Sequence, residues 1–169
     1  AEKYFLKTLK IDANNDANKK AYSIFLFKKK NYKKAWDLFD GRLGLNEFII
    51  KNSYLENVKK YLWDGKKINP NSKILIIREQ GVGDEILYGT MYPDFLQKFK
   101  NVVIESDIRM ISIFNRSLNI KDDKIFVPLG TNIKIKKNLK KFDIVIYAGS
   151  LGKILRNKLN DFPSKHYLK

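Results

Sequence analysis

The chain has 169 residues, with 34 Lys and Arg against 18 Asp and Glu and a net charge of +16. At 44% hydrophobic and 13% aromatic it has material for a packed core, which excludes global disorder. The absence of Cys and the single His exclude a disulfide framework, a thiolate site and a His-rich zinc site, and no apolar run approaches the roughly 18 residues of a membrane span.

A charge of this size usually points to nucleic acid or an anionic surface, but its distribution weakens that reading. Residues 1–70 carry 16 basic and 8 acidic side chains, and residues 71–169 carry 18 and 10, so each part is net +8. Of the basic residues 29 are Lys and 5 are Arg, whereas base readout and bidentate phosphate contacts favour Arg. Lys, Asn and Ile are abundant throughout, the bias an AT-rich genome imposes. The start Ala1-Glu2-Lys3, without Met or a signal-peptide pattern, leads to the expectation of a piece of a longer protein.

In chain order, the first feature is a repeat. Ala1-x-x-x-Phe5-x-x-x-Leu9 recurs as Ala35-x-x-x-Phe39-x-x-x-Leu43, an offset of 34 residues. The spacing predicts helices over 2–10, 16–29 and 32–43, with turns at Ile11–Asn15 and Lys30–Tyr32. On the second helix Ala21, Ile24, Phe25 and Phe27 are the apolar positions. The period and the Ala-x-x-x-Phe pattern resemble about one and a half tetratricopeptide repeats over residues 1–43. Any antiparallel helical hairpin is the alternative. Such repeats usually have Gly where this chain has Lys30 or Asn31, and Asn tolerates the left-handed backbone, so the turn is kept. Tyr22, Trp36 and Phe39 have the spacing of repeat core. Residues 44–72 form a helical connector in which Leu62-Trp63-Asp64-Gly65 is an anchor with Trp63 buried, and the turn cluster Asn69-Pro70-Asn71-Ser72 marks a boundary.

From Lys73 the pattern alternates between strands and helices. Lys73–Arg78 is a continuous apolar run of the kind found in buried parallel strands. Glu79-Gln80-Gly81-Val82-Gly83-Asp84-Glu85 follows, then a helix pattern through Lys100 with Ile86, Leu87, Met91, Phe95, Leu96 and Phe99 on its apolar side. Further strands are expected at 102–105, 125–128 and 142–147, and further helices at 108–117 and 151–158. This order implies an open, mostly parallel sheet, with residues 79–84 and 148–151 at its ligand-binding edge. The first loop lacks the third Gly of a dinucleotide fingerprint, since position 86 is Ile86, and lacks the Gly-Lys-Ser/Thr of a Walker loop. Asp84 and Glu85 at the helix start also disfavour phosphate. Asp84 is a helix-start acid or a general base for a hydroxyl acceptor.

The series of strand, Glu79-Gln80-Gly81-Val82-Gly83-Asp84, helix and Tyr92-Pro93 resembles the start of the heptosyltransferase-like glycosyltransferases (glycosyltransferase family 9). It looks most like bacterial proteins in which tetratricopeptide repeats and a segment ending in Trp-Asp-Gly, here Trp63-Asp64-Gly65, directly precede such a domain. The resemblance covers nearly the whole chain. It implies a GT-B fold, of which residues 73–169 would be the Rossmann-like N-terminal half, and inverting sugar transfer from a nucleotide donor. The acceptor would lie on this half, and the nucleotide sugar on a C-terminal half beyond Lys169, so this chain alone is expected to lack transferase activity and to hold no cofactor. Asp84 would be the base, with Gln80, Gly81 and Gly83 shaping the loop, Glu79 supporting it and Ser150 as an acceptor contact or a helix cap. Family members of lipopolysaccharide synthesis often have Ser or Thr before the Gly-Asp. That place is Val82 here, as in the repeat-fused group. Lys153 is a weaker candidate for a phosphate or sugar contact, and His166 has little claim to a role.

The partners expected are a sugar or protein acceptor and a protein docked on the repeats. Nucleic acid is disfavoured. A cytoplasmic location, extending to the periphery of the inner membrane, goes with this reading. A non-catalytic scaffold, in which Asp84 only caps its helix, and a basic nucleic-acid-binding module are the competing readings.

Overall fold

The computed structural model describes residues 1–45, 58, 60–128, 139–164 and 166–169. It is a mixed α/β chain whose four strands form one parallel sheet. The chain separates into two compact units. One comprises residues 1–53 and 152–163, and the other residues 54–151 and 164–169. The segment 152–163, which the sequence assigned to the sheet region, therefore packs with the N-terminal helices.

The first unit is built on helices α1 (Glu2–Ile11), α2 (Asp16–Lys28) and α3 (Tyr32–Phe39), the last continued by a 3-10 turn at Asp40–Gly44. Asn15 starts α2 by accepting the amide of Asn18 on its side chain at 2.8 Å, which satisfies a donor that the helix leaves open. Tyr22, Leu26 and Ala35 form the core, with Phe5, Leu9, Phe25, Phe27 and Leu38 packed on it. Phe5 stacks on Tyr22 at 5.3 Å between centroids. Tyr22 points inward, as its spacing predicts, and Phe25 and Phe27 pack on the core, but Ala21 and Ile24 are exposed and Leu26 takes an inward place that was not expected. The α2–α3 turn closes as a Schellman motif: the Lys30 amide bonds Phe27 O and the Asn31 amide bonds Leu26 O. Of the two residues at the expected Gly position, Lys30 rather than Asn31 takes the left-handed conformation, with φ 59°.

Helix α7 (Gly152–Leu155) packs on α3. The Trp36 indole N–H donates to Arg156 O at 2.8 Å, and the ring meets Phe27 and Phe39 edge-on at 4.6 and 5.5 Å. The expected helix over 151–158 is thus broken: a 3-10 turn at Ala148–Leu151 precedes α7, and a second follows at Leu159–Asp161.

In the second unit the strands are β1 (Ile74–Ile77), β2 (Val102–Ser106), β3 (Phe126–Pro128) and β4 (Ile144–Tyr147), in the order β3-β2-β1-β4. All four residues of β1 are buried, because neighbouring strands flank it and both sheet faces are covered. This is why its sequence is unbroken Ile and Leu. Ile74 aligns with Val102 on one side and Ile144 on the other. Leu62 bridges Val145 in parallel and the Trp63 amide donates to Val145 O at 2.9 Å, so residues 62–63 lie along β4. Trp63 itself is half-buried rather than buried, its indole bonded to Lys66 O.

The single helix expected to Lys100 is two, α4 (Val82–Gly89) and α5 (Tyr92–Lys98). Pro93, at the second position of α5, cannot donate to a preceding carbonyl and crowds it, which ends α4. The inward face carries Glu85, Tyr88, Gly89, Tyr92 and Phe95, whereas Ile86 and Leu87 are exposed. Tyr92, Phe114 of α6 (Ile108–Ser117) and Phe126 form an aromatic cluster with centroids 5.3–5.9 Å apart.

The close fit of Trp36 on α7 yields one prediction. A Cβ at Gly152 would lie 2.3–2.4 Å from three atoms of the Trp36 ring. The substitution Gly152→Ala should lower stability by about 1–3 kcal/mol, read as a reduced urea midpoint. An unchanged midpoint would show that the ring can move aside.

Candidate functional site at the sheet edge

The chain runs from β1 outward through β2 to β3 and then returns to place β4 on the other side of β1. The carboxyl ends of β1 and β4 therefore form a topological switch point, the place where open parallel sheets bind ligands. Residues 78–84 leave β1 there and Ala148–Leu151 leave β4 there. The two segments are tied directly, because the Gly149 amide donates to Glu79 Oε1 at 2.5 Å, and both residues are buried.

Arg78 holds the other side. Its guanidinium is buried, with Nε 3.0 Å from Glu85 Oε2 and Nη1 3.4 Å from Asp107 Oδ2, and Nη2 donates to Gln80 O at 3.4 Å. Glu85, fully buried in the first turn of α4, also accepts from the Ser106 hydroxyl and, at 3.0 Å, from the Asp107 amide. The Asp107 side chain caps α6 through the Arg109 amide at 3.0 Å and takes two contacts of 2.9 Å from the Arg109 guanidinium. Those bonds to Arg109, side chain before backbone, hold the Asp107 carboxyl well below the usual carboxylate range. Burial pushes the Glu105 carboxyl up to about 7 against the opposing pull of Arg78. Burial also raises the Tyr92 phenol and pushes Tyr167 up to about 12, with Glu85 adding to both.

Gln80 has a left-handed backbone, φ 63°, and it is exposed, as are Gly81 and Gly83. Asp84 is half-buried, and its Oδ2 accepts the Gly81 amide at 3.3 Å, closing the start of α4. Ser150 is buried in the turn after β4. Five residues named from the sequence, Gln80, Gly81, Gly83, Asp84 and Ser150, thus lie on the two segments that meet at the switch point. Lys153 does not: it belongs to the helical unit, where its Nζ lies 3.4 Å from Asp40 and 3.8 Å from Asp37. His166 is exposed. The sequence does not single out Arg78, Ser106 and Asp107 for the site, and it marks Glu85 only as a helix-start acid that disfavours phosphate, not as a buried partner of Arg78. Arg78 directly after four Ile and Leu, and Glu85 in step with Tyr88, Gly89 and Tyr92, were the available signals.

The chemistry of the edge follows from these pairings. Both guanidiniums are engaged by carboxylates, and the first turn of α4 carries two acids, so the edge is poor in vacant positive charge for a phosphate. Of the three carboxylates at positions 79, 84 and 85, two are buried in structural bonds and Asp84 alone has solvent access. Among the described residues no group of acids and His is arranged to hold a metal ion, and no helix is long and apolar enough to cross a membrane. No protein-family model, no curated protein and no solved structure matches the chain significantly.

Two predictions arise from this network. Arg78→Met leaves Glu85 buried beside no cation and should cost about 3–5 kcal/mol, while Arg78→Met with Glu85→Gln should recover much of it; additive losses in urea titrations would refute the coupling. The raised Glu105 carboxyl means that the folded state binds more protons than the unfolded chain between about pH 4.5 and 7. Stability should therefore fall as pH rises through that window. Glu105→Gln should flatten the profile and raise stability at pH 8 by roughly 1–3 kcal/mol, measured as ΔG of unfolding against pH.

Proposed function

We propose that the second unit is the acceptor-binding, Rossmann-like half of an inverting, nucleotide-sugar-dependent glycosyltransferase, with Asp84 as the base that takes the proton of the acceptor hydroxyl. The observation that supports it best is the glycine loop at the switch point, which keeps one accessible carboxylate while its two neighbours are committed to bonds within the fold. A hydroxyl nucleophile needs a carboxylate within hydrogen-bond reach on a fixed backbone, and an edge without vacant cations suits a neutral polyol better than a nucleotide phosphate. In this reading the nucleotide sugar binds on a second, C-terminal Rossmann-like half of the kind that the resemblance implies. The helices of the first unit are the end of a tetratricopeptide array that docks the acceptor or a protein partner.

A second reading keeps a specific observation on its side. The Gly81–Asp84 bond is an ordinary helix-start contact, as a non-catalytic scaffold would have. The two readings separate on Asp84→Asn, which retains a carbonyl oxygen for the cap and removes the base. In the protein encoded by the full reading frame, transfer should fall at least about 100-fold with the fold intact by circular dichroism. Near-normal turnover would leave Asp84 as a cap alone, and sugar transfer by residues 1–169 in isolation would overturn the division of labour between halves.

A further inference from the structure

The α2–α3 hairpin carries a concentration of charge that the fold does not require. Residues 17–36 contain seven Lys and no Asp or Glu. Five of the seven, Lys28, Lys29, Lys30, Lys33 and Lys34, are exposed at the hairpin tip. Three of these sit where local energetics disfavour them. Lys30 occupies the left-handed position, φ 59°, where Gly is favoured. Lys33 and Lys34 lie in the first turn of α3, at the positive end of the helix dipole, where cations are unfavourable. Lys34 gains a contact within the fold, its Nζ donating to the Tyr22 hydroxyl at 3.1 Å and lying 5.2 Å from the centre of the Tyr22 ring. Lys30 and Lys33 are therefore the positions that break local rules without a packing gain, and such positions are those at which function is expected. The dipole and the ammonium groups of Lys28, Lys29, Lys30 and Lys33 add to one outward positive field.

The same tip has an apolar component. The Tyr32 ring packs on Phe162 at 4.8 Å, and beside it Phe162 is 39% and Leu159 55% exposed. We propose that this tip docks on an anionic lipid surface, the lysines facing the headgroups and Leu159 and Phe162 entering the boundary with the acyl chains. Two features favour lipid over nucleic acid. Every cation of the tip is Lys, a point charge suited to a diffuse field, with none of the Arg forks used for phosphodiester and base contacts. The apolar neighbours are aliphatic and aromatic groups of the kind that enter a headgroup layer. Juxtaposed lysines attract an anionic leaflet additively and lose that attraction to salt.

The test is cosedimentation of the chain with vesicles of phosphatidylcholine containing roughly one-third phosphatidylglycerol, against phosphatidylcholine alone. Binding is expected to the anionic vesicles and to weaken strongly when sodium chloride is raised from about 50 to about 500 mM. The variant Lys28→Gln, Lys29→Gln, Lys30→Gln, Lys33→Gln should lose at least about tenfold in affinity. The charge-matched control Lys98→Gln, Lys100→Gln, Lys121→Gln, Lys124→Gln, at exposed positions of the other unit, should lose less than about twofold. Leu159→Ser with Phe162→Ser should weaken binding while leaving its salt dependence in place. Equal losses in the two lysine variants would assign the binding to net charge and overturn the proposal. So would the absence of binding to anionic vesicles, or tighter binding to single-stranded RNA than to vesicles at the same salt.

Discussion

A buried guanidinium at the end of β1 governs the geometry of the sheet edge. An ion taken out of water costs several kcal/mol unless it finds counter-charges and hydrogen-bond partners. Arg78 finds them on three separate pieces of chain: Glu85 in the first turn of α4, Asp107 after β2, and the carbonyl of Gln80 in its own loop. Loss of Glu85 would strand the buried guanidinium, and Asp107 and the Gln80 carbonyl add to the same anchorage, so the start of α4, the end of β2 and the glycine loop are held in one arrangement. Glu79, the next residue, reaches instead to the Gly149 amide beyond β4. Two successive side chains thereby tie β1 to both neighbouring strands at the level where a ligand would sit.

A different constraint, close packing of small residues against rings, organises the helical unit. Ala35 is fully buried between α2 and α3, and Gly152 lies against the Trp36 ring with no space for a methyl group. The 34-residue recurrence of Ala-x-x-x-Phe has a physical basis here at its second occurrence: the Ala lets the helices approach, and Phe39, in contact with Phe27 and Trp36, fills the space one turn further along.

Much of this was legible in the sequence wherever the determinant was local. Four consecutive Ile and Leu mark β1 because a central parallel strand is buried on both faces. The features that were not legible depend on distant partners. The helix expected over 151–158 stops after Leu155, where the Asn157 and Lys158 amides turn to Asp161 Oδ2 instead of to carbonyls one turn back, and where the Arg156 carbonyl accepts the indole of Trp36, 120 residues away. The inward face of α4 was misassigned because Glu85 reads as a surface residue until Arg78 is placed beside it, while Ile86 and Leu87 read as core and are exposed. Of the candidate site, the loop and its acid could be named from spacing alone. The pairings that commit Glu79 and Glu85 could not, since their partners lie 70 and 7 residues away in the chain.

The two roles considered for Asp84 do not exclude one another. A carboxylate has two oxygens and about four lone-pair sites. The helix-start bond engages Oδ2 through the Gly81 amide, which uses one of them and removes side-chain freedom that a base would otherwise have to lose on binding its acceptor. A carboxylate tethered in this way is oriented by the same backbone that shapes the loop, and the loop is in turn fixed by Arg78. On the proposed reading, capping is therefore what places the base, and a substitution that spares the cap while removing the charge separates proton transfer from loop order.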